Sequence, residues 1–75
     1  MSRAQRHVAV GQALLTEREA EALTLLAQGK TTQEIATEMG NSINTATDAL
    51  QIIYRKIGAR NRAVAGVLAC KAGLV

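Results

Sequence analysis

Thr31-Thr32-Gln33-Glu34-Ile35-Ala36-Thr37-Glu38-Met39-Gly40-Asn41-Ser42 is the stretch that decides the fold. Thr31 to Glu34 has the form of a capping box, in which a hydroxyl accepts from the amide three residues on while the glutamate reaches back. Ile35, Ala36 and Met39 then share one helical face and Gly40 is a stop, which predicts a short helix of about two turns. Ser42, or Asn41, can cap the next helix, where Ala46, Leu50, Ile53 and Ile57 recur at steps of four, three and four up to Gly58. That stripe is expected to be buried. Two helices joined by a short Gly-containing turn outline a helix-turn-helix, an outline shared by DNA readers and by small helical bundles of other kinds.

The same grammar extends in both directions. Thr16-Glu17-Arg18-Glu19 is another capping box, followed by Ala22, Leu23, Leu26 and Ala27 at helical spacing and by Gly29 just past Gln28. Beyond Gly58, Asn61 can cap a last helix through Ala65, Leu68, Ala69 and Ala72 to Gly73. With fourteen alanines and no proline, the composition favours helix, and strands are not expected. The expectation is an all-α, four-helix domain over residues 14–75, preceded by a flexible tail over residues 1–13.

Length and composition remove several classes of function. Seventy-five residues hold one small domain, whose thin core makes a partner subunit a natural aid to stability. The single cysteine, Cys70, cannot form an internal disulfide, and no His/Cys cluster offers the four ligands of a structural zinc site. His7 is the sole imidazole and has no nucleophile or paired carboxylate at an interpretable spacing, so the chain is not expected to be an enzyme or to carry a cofactor or metal. Gly29-Lys30-Thr31 has the look of the end of a phosphate loop, but no glycine stands five residues earlier. No segment has the length of a membrane span or a secretory signal, which makes a cytoplasmic location the default. The net charge of +3 is mild, and Arg3 and Arg6 in the first seven residues supply much of it; from Val8 onward seven cations face six carboxylates. Tyr54 is the one aromatic residue, so the stacking platforms of single-strand and RNA binders are missing, and duplex DNA is the favoured nucleic acid.

Specific residues then add what periodicity leaves open. Leu15-Thr16-Glu17-Arg18-Glu19, Leu25-Leu26-Ala27-Gln28-Gly29, Glu34-Ile35-Ala36, Ser42 with Thr45, Arg55-Lys56-Ile57-Gly58 and Arg60-Asn61-Arg62 together resemble the LuxR-type, GerE-like helix-turn-helix family. The resemblance covers about residues 14–75, and in size the chain resembles a free-standing member with no receiver or ligand-sensing domain before it. It implies a regulator that binds duplex DNA in the major groove through helix three. Thr47, Asp48 and Gln51 would face the base edges, with Arg55 and Lys56 near the backbone at the far end. Lys30 and Thr31 would hold the flanking strand. Ser42, Asn44 and Thr45 stand at the amino end of helix three, where unpaired amides and a partial positive charge suit a phosphate.

The family usually shows Thr-Val-Lys-x-His where this chain has Thr45, Ala46, Thr47, Asp48 and Ala49. Both cation-bearing positions are lost, and Asp48 brings a negative charge to a surface that should meet phosphates, so weak binding is expected. Gln51 can still pair with adenine, and Asp48 can accept from a cytosine amine. Two further departures are Asn41, where an apolar residue is usual, and Ile43, where a polar one is. Ile52 and Tyr54 are read as lying away from the buried stripe. On the last helix Val64, Val67 and Cys70, with Lys71 beside them, form an apolar side separate from Ala65, Leu68, Ala69 and Ala72. A small domain can hardly surround a helix that is apolar on two sides, and the family commonly pairs through this helix, so a homodimer is expected. The alternative function is a repurposed helix-turn-helix that binds a protein partner, as an anti-activator or co-regulator, with little or no DNA binding.

Overall fold

The computed structural model describes residues 7–75. Six elements follow one another: β1 (His7–Val10), β2 (Ala13–Thr16), α1 (Glu17–Ala27), α2 (Thr32–Met39), α3 (Ile43–Ile57) and α4 (Arg62–Lys71). The helices form the expected all-α, four-helix domain, and each starts where its cap residue predicts. Thr16 and Thr31 make complete capping boxes with Glu19 and Glu34. The Ser42 and Asn61 side chains accept from the amides of Thr45 and Val64. Gly40 and Gly58, at φ of 71° and 75°, take the left-handed conformation that ends α2 and α3, one that a Cβ would oppose.

Helix α1 is the hub, packing against the other three helices and both strands. Leu23 from α1, Ile35 from α2, Ile53 from α3, and Val10 and Leu15 from the strands are the largest fully buried side chains. Ala46, Leu50 and Ile53 form the buried stripe of α3, with Ile57 half-buried at its end. Ala65 and Ala69 give α4 a thin buried side, and their small side chains let it lie close to α1. No polar or charged residue is buried among the described residues.

The absence of strands is corrected. β1 and β2 pair antiparallel with His7 opposite Thr16, Val8 opposite Leu15, Ala9 opposite Leu14 and Val10 opposite Ala13. Part of the expected tail, His7 to Ala13, therefore belongs to the folded domain; Arg3 and Arg6 lie outside the described residues. The signal is present in the sequence: Val8 and Val10 alternate, Gly11-Gln12 is a two-residue turn, and Leu15 continues the alternation. Gly11 has φ of 61°, the positive value such a turn needs at its first position. A two-stranded hairpin is marginal by itself and persists here because Val10 and Leu15 reach into the helical core at 0% exposure. Tyr54 is also corrected: it is half-buried and packs against the core rather than standing away from it.

Candidate nucleic-acid interface

Helix α3 presents two different faces to its surroundings. Asn44, the adjacent pair Thr47 and Asp48, Gln51 and Arg55 follow one another at steps of three or four on the side opposite the buried stripe, and all five are exposed. This outward row holds Thr47, Asp48 and Gln51, the three residues expected at base edges, with Arg55 at its far end. The Thr47 hydroxyl donates to Ile43 O at 2.8 Å, which leaves its methyl group and oxygen lone pairs for outside contacts. Arg55 has no hydrogen bond or ion pair among the described residues. The α3 N-terminus has no acidic residue in its first turn, whereas α1 and α2 have one or more. Ser42 Oγ accepts from Thr45 N at 3.1 Å and donates to Thr45 Oγ1 at 2.9 Å, so these two hydroxyls organise one another at that end.

The second face is a flank of Thr45, Ala49, Ile52 and Lys56, again at steps of three and four. Ala49 lines a half-open hollow of about 190 Å³ between α1, α2 and α3, walled by Ala22, Ile35, Met39, Ala46 and Ile53. Lys56 does not stand free beside Arg55. Its ammonium lies 2.8 and 3.0 Å from the two carboxylate oxygens of Glu19, in the first turn of α1. The Lys56 ammonium, with help from the Thr16 backbone N–H, holds the Glu19 carboxyl below its ordinary value of 4.5 against the opposing effect of desolvation.

Other cations are also engaged within the fold. Arg18 donates from Nη2 to Met39 O at 2.7 Å, capping the end of α2 across 21 residues of sequence, and touches Asn41 Oδ1 at 3.5 Å. Arg62 donates to Lys30 O and so ties the start of α4 to the link before α2. Lys30 itself is 3.8 Å from Glu38, an exposed and loose pair. Thr31 is occupied by its capping box: its hydroxyl accepts from Glu34 N at 3.1 Å and its own N–H donates to Glu34 Oε1 at 2.8 Å. That N–H, followed by the hydroxyl, holds the Glu34 carboxyl below its ordinary value. Lys30 and Thr31 share no hydrogen bond or ion pair with α3 among the described residues.

The expected pairing face of α4 is divided by the structure. Val67 is 54% exposed, and Cys70 and Lys71 are exposed beside it. Val64 is half-buried and packs against the chain's own core, because the helix turns that side toward its neighbours. Leu14 and Ile43 are exposed too, the first on the outer side of the hairpin.

The outward row on the second helix of a helix-turn-helix is the arrangement by which proteins enter a DNA groove. Comparison with known families agrees with it: residues 13–69 match the model of the family described as "bacterial regulatory proteins, luxR family". The chain belongs to the LuxR family. Over 54 residues it is 43% identical to the spore germination protein GerE of Bacillus subtilis (strain 168), an alignment that covers 72% of this chain and 73% of that protein. LuxR-family membership makes this a helix-turn-helix domain of the DNA-binding regulator class, a regulatory rather than an enzymatic unit. No helix among the described residues of this LuxR-family domain is long and apolar enough to cross a membrane.

Proposed function

We propose that the chain regulates transcription by binding duplex DNA as a homodimer, with α3 in the major groove of each half-site. The outward row of Asn44, Thr47, Asp48, Gln51 and Arg55 carries this proposal, since it is exposed along its whole length and covered by no other part of the described chain. Gln51 pairs with adenine, Asp48 accepts from a cytosine amine, and Thr47 offers its methyl group to thymine. Ser42, Asn44, Thr45 and the free amides at the start of α3 hold one phosphate, Arg55 meets another at the far end, and Lys30 and Thr31 lie along the flanking strand. The paired subunits meet through Val67, Cys70 and Lys71 of α4, with Val64 at the margin of that contact.

Binding is weak and specificity comes from few groups. From Lys30 to Ile57 the chain has three cations and three carboxylates, so the helix-turn-helix has no net positive charge of its own. The test is a selection on random duplexes at low salt with purified protein, alongside a measurement of solution mass. A recurring motif with two-fold symmetry and the mass of a dimer support the proposal. Absence of duplex binding at 50 mM salt refutes it and favours a protein-binding module, for which Ile52 and Val67 are among the exposed apolar contacts.

A further inference from the structure

We infer that Lys56 serves duplex binding as a positioning residue, held by Glu19, and that the first turn of α1 is a two-point bracket that sets the pose of the reading helix. Arg18 and Glu19 are adjacent in sequence and reach opposite ends of α3. Arg18 fastens the turn that leads into it, through Met39 O at 2.7 Å and Asn41 Oδ1 at 3.5 Å. Glu19 fastens its last turn, through Lys56 Nζ at 2.8 and 3.0 Å. Between the two ties lies the hollow of about 190 Å³, bordered by Thr16, Arg18, Glu19, Asn41 and Ala49. Close packing does not fill this flank, so the ties at its two ends fix the angle of α3 against α1.

The Glu19 carboxylate is set in place before it meets Lys56. Its Oε1 accepts from Thr16 N at 2.9 Å while the Thr16 hydroxyl accepts from Glu19 N at 3.1 Å, so its own helix orients it. Lys56 sits in the last turn of α3, where a cation also favours the helix dipole. It projects from the flank of Thr45, Ala49 and Ile52, to one side of the row that ends in Arg55. Seen from a phosphate, the Lys56–Glu19 pair is nearly neutral. Its effect on binding is the orientation it gives Thr47, Asp48 and Gln51.

Because this presupposes duplex binding, the experiment separates the two. Affinity for a labelled duplex from the selection is measured by fluorescence anisotropy across salt for the wild type, Glu19→Gln, Lys56→Gln, the double variant, Lys56→Arg and Arg55→Gln. Urea unfolding followed by circular dichroism identifies the folded variants. Glu19→Gln keeps the acceptor for Thr16 N and removes the charge that holds Lys56. Glu19→Gln and Lys56→Gln should each weaken binding by roughly five-fold, with the double variant no worse than either single one. The salt slope should stay unchanged in all three, and Lys56→Arg should restore affinity. Arg55→Gln should make the slope shallower by about 1.8 in the dimer, one contact per half-site. A tighter complex with Glu19→Gln together with a shallower slope for Lys56→Gln overturns the inference and makes Lys56 a phosphate contact. No duplex binding by the wild type overturns the proposed function, and this inference with it.

Discussion

Salt concentration is the perturbation that reports most directly how many side chains of this protein meet phosphate. Seven Lys/Arg residues follow His7, but the fold engages several of them: Arg18 on a helix-end carbonyl, Lys56 on Glu19, and Arg62 on Lys30 O. Arg55 on the outward row is unengaged among the described residues, and Lys30 is held only by an exposed carboxylate at 3.8 Å that a phosphate can displace. Two cations per protomer give a slope of about −1.8 in log affinity against log salt, and about −3.6 for a dimer on two half-sites. Between 50 and 200 mM salt, affinity should then fall about 12-fold for one protomer and about 150-fold for the dimer. Fluorescence anisotropy with a labelled duplex measures this, and Arg55→Gln in the dimer should make the slope shallower by about 1.8, one contact per half-site. A loss above about 1,000-fold over the same range requires phosphate contacts beyond Arg55 and Lys30 and refutes this count of two cations per protomer.

Gln51→Ala should flatten preference at one base position by about 1–3 kcal/mol while leaving the other positions and the salt slope alone, as read by repeating the duplex selection. Leu23→Ala removes a fully buried side chain from the hub helix and should cost about 2–5 kcal/mol in urea unfolding, a large part of the total for a domain of this size. Glu19 and Glu34 have folded-state values below the ordinary 4.5. Their contribution to stability is therefore fully present above the unfolded value and lost as pH falls through the lowered folded values, so Glu19→Gln should flatten the acid limb of a pH–stability curve. Val67→Glu places a charge on the exposed side of α4 and should shift the solution mass to that of a monomer without changing the far-ultraviolet spectrum.

What was legible in the sequence is local in origin. A capping box joins residues three apart and a buried stripe repeats within one helix, so Thr16 with Glu19, Thr31 with Glu34, Ser42, Asn61 and the row Ala46, Leu50, Ile53 fix where the four helices begin and which side of α3 is buried. The outward placement of Thr47, Asp48 and Gln51 follows from the same periodicity. The hairpin was also written in the sequence, in Val8, Val10, Gly11 and Leu15, but four-residue strands are too short for their alternation to outweigh a helical composition.

Tertiary structure alone decided the fate of the long cations. Lys56 lies 37 residues from Glu19, Arg18 21 from Met39 and Arg62 32 from Lys30, and no spacing rule connects such pairs. Flexible side chains with charged ends can reach either a phosphate or a neighbouring helix; which they do depends on how the helices pack. For the same reason Val64 and Tyr54, apolar and near the edge of their helical faces, went to the core: position on a helix sets a direction, while the neighbour standing in that direction is set by the fold.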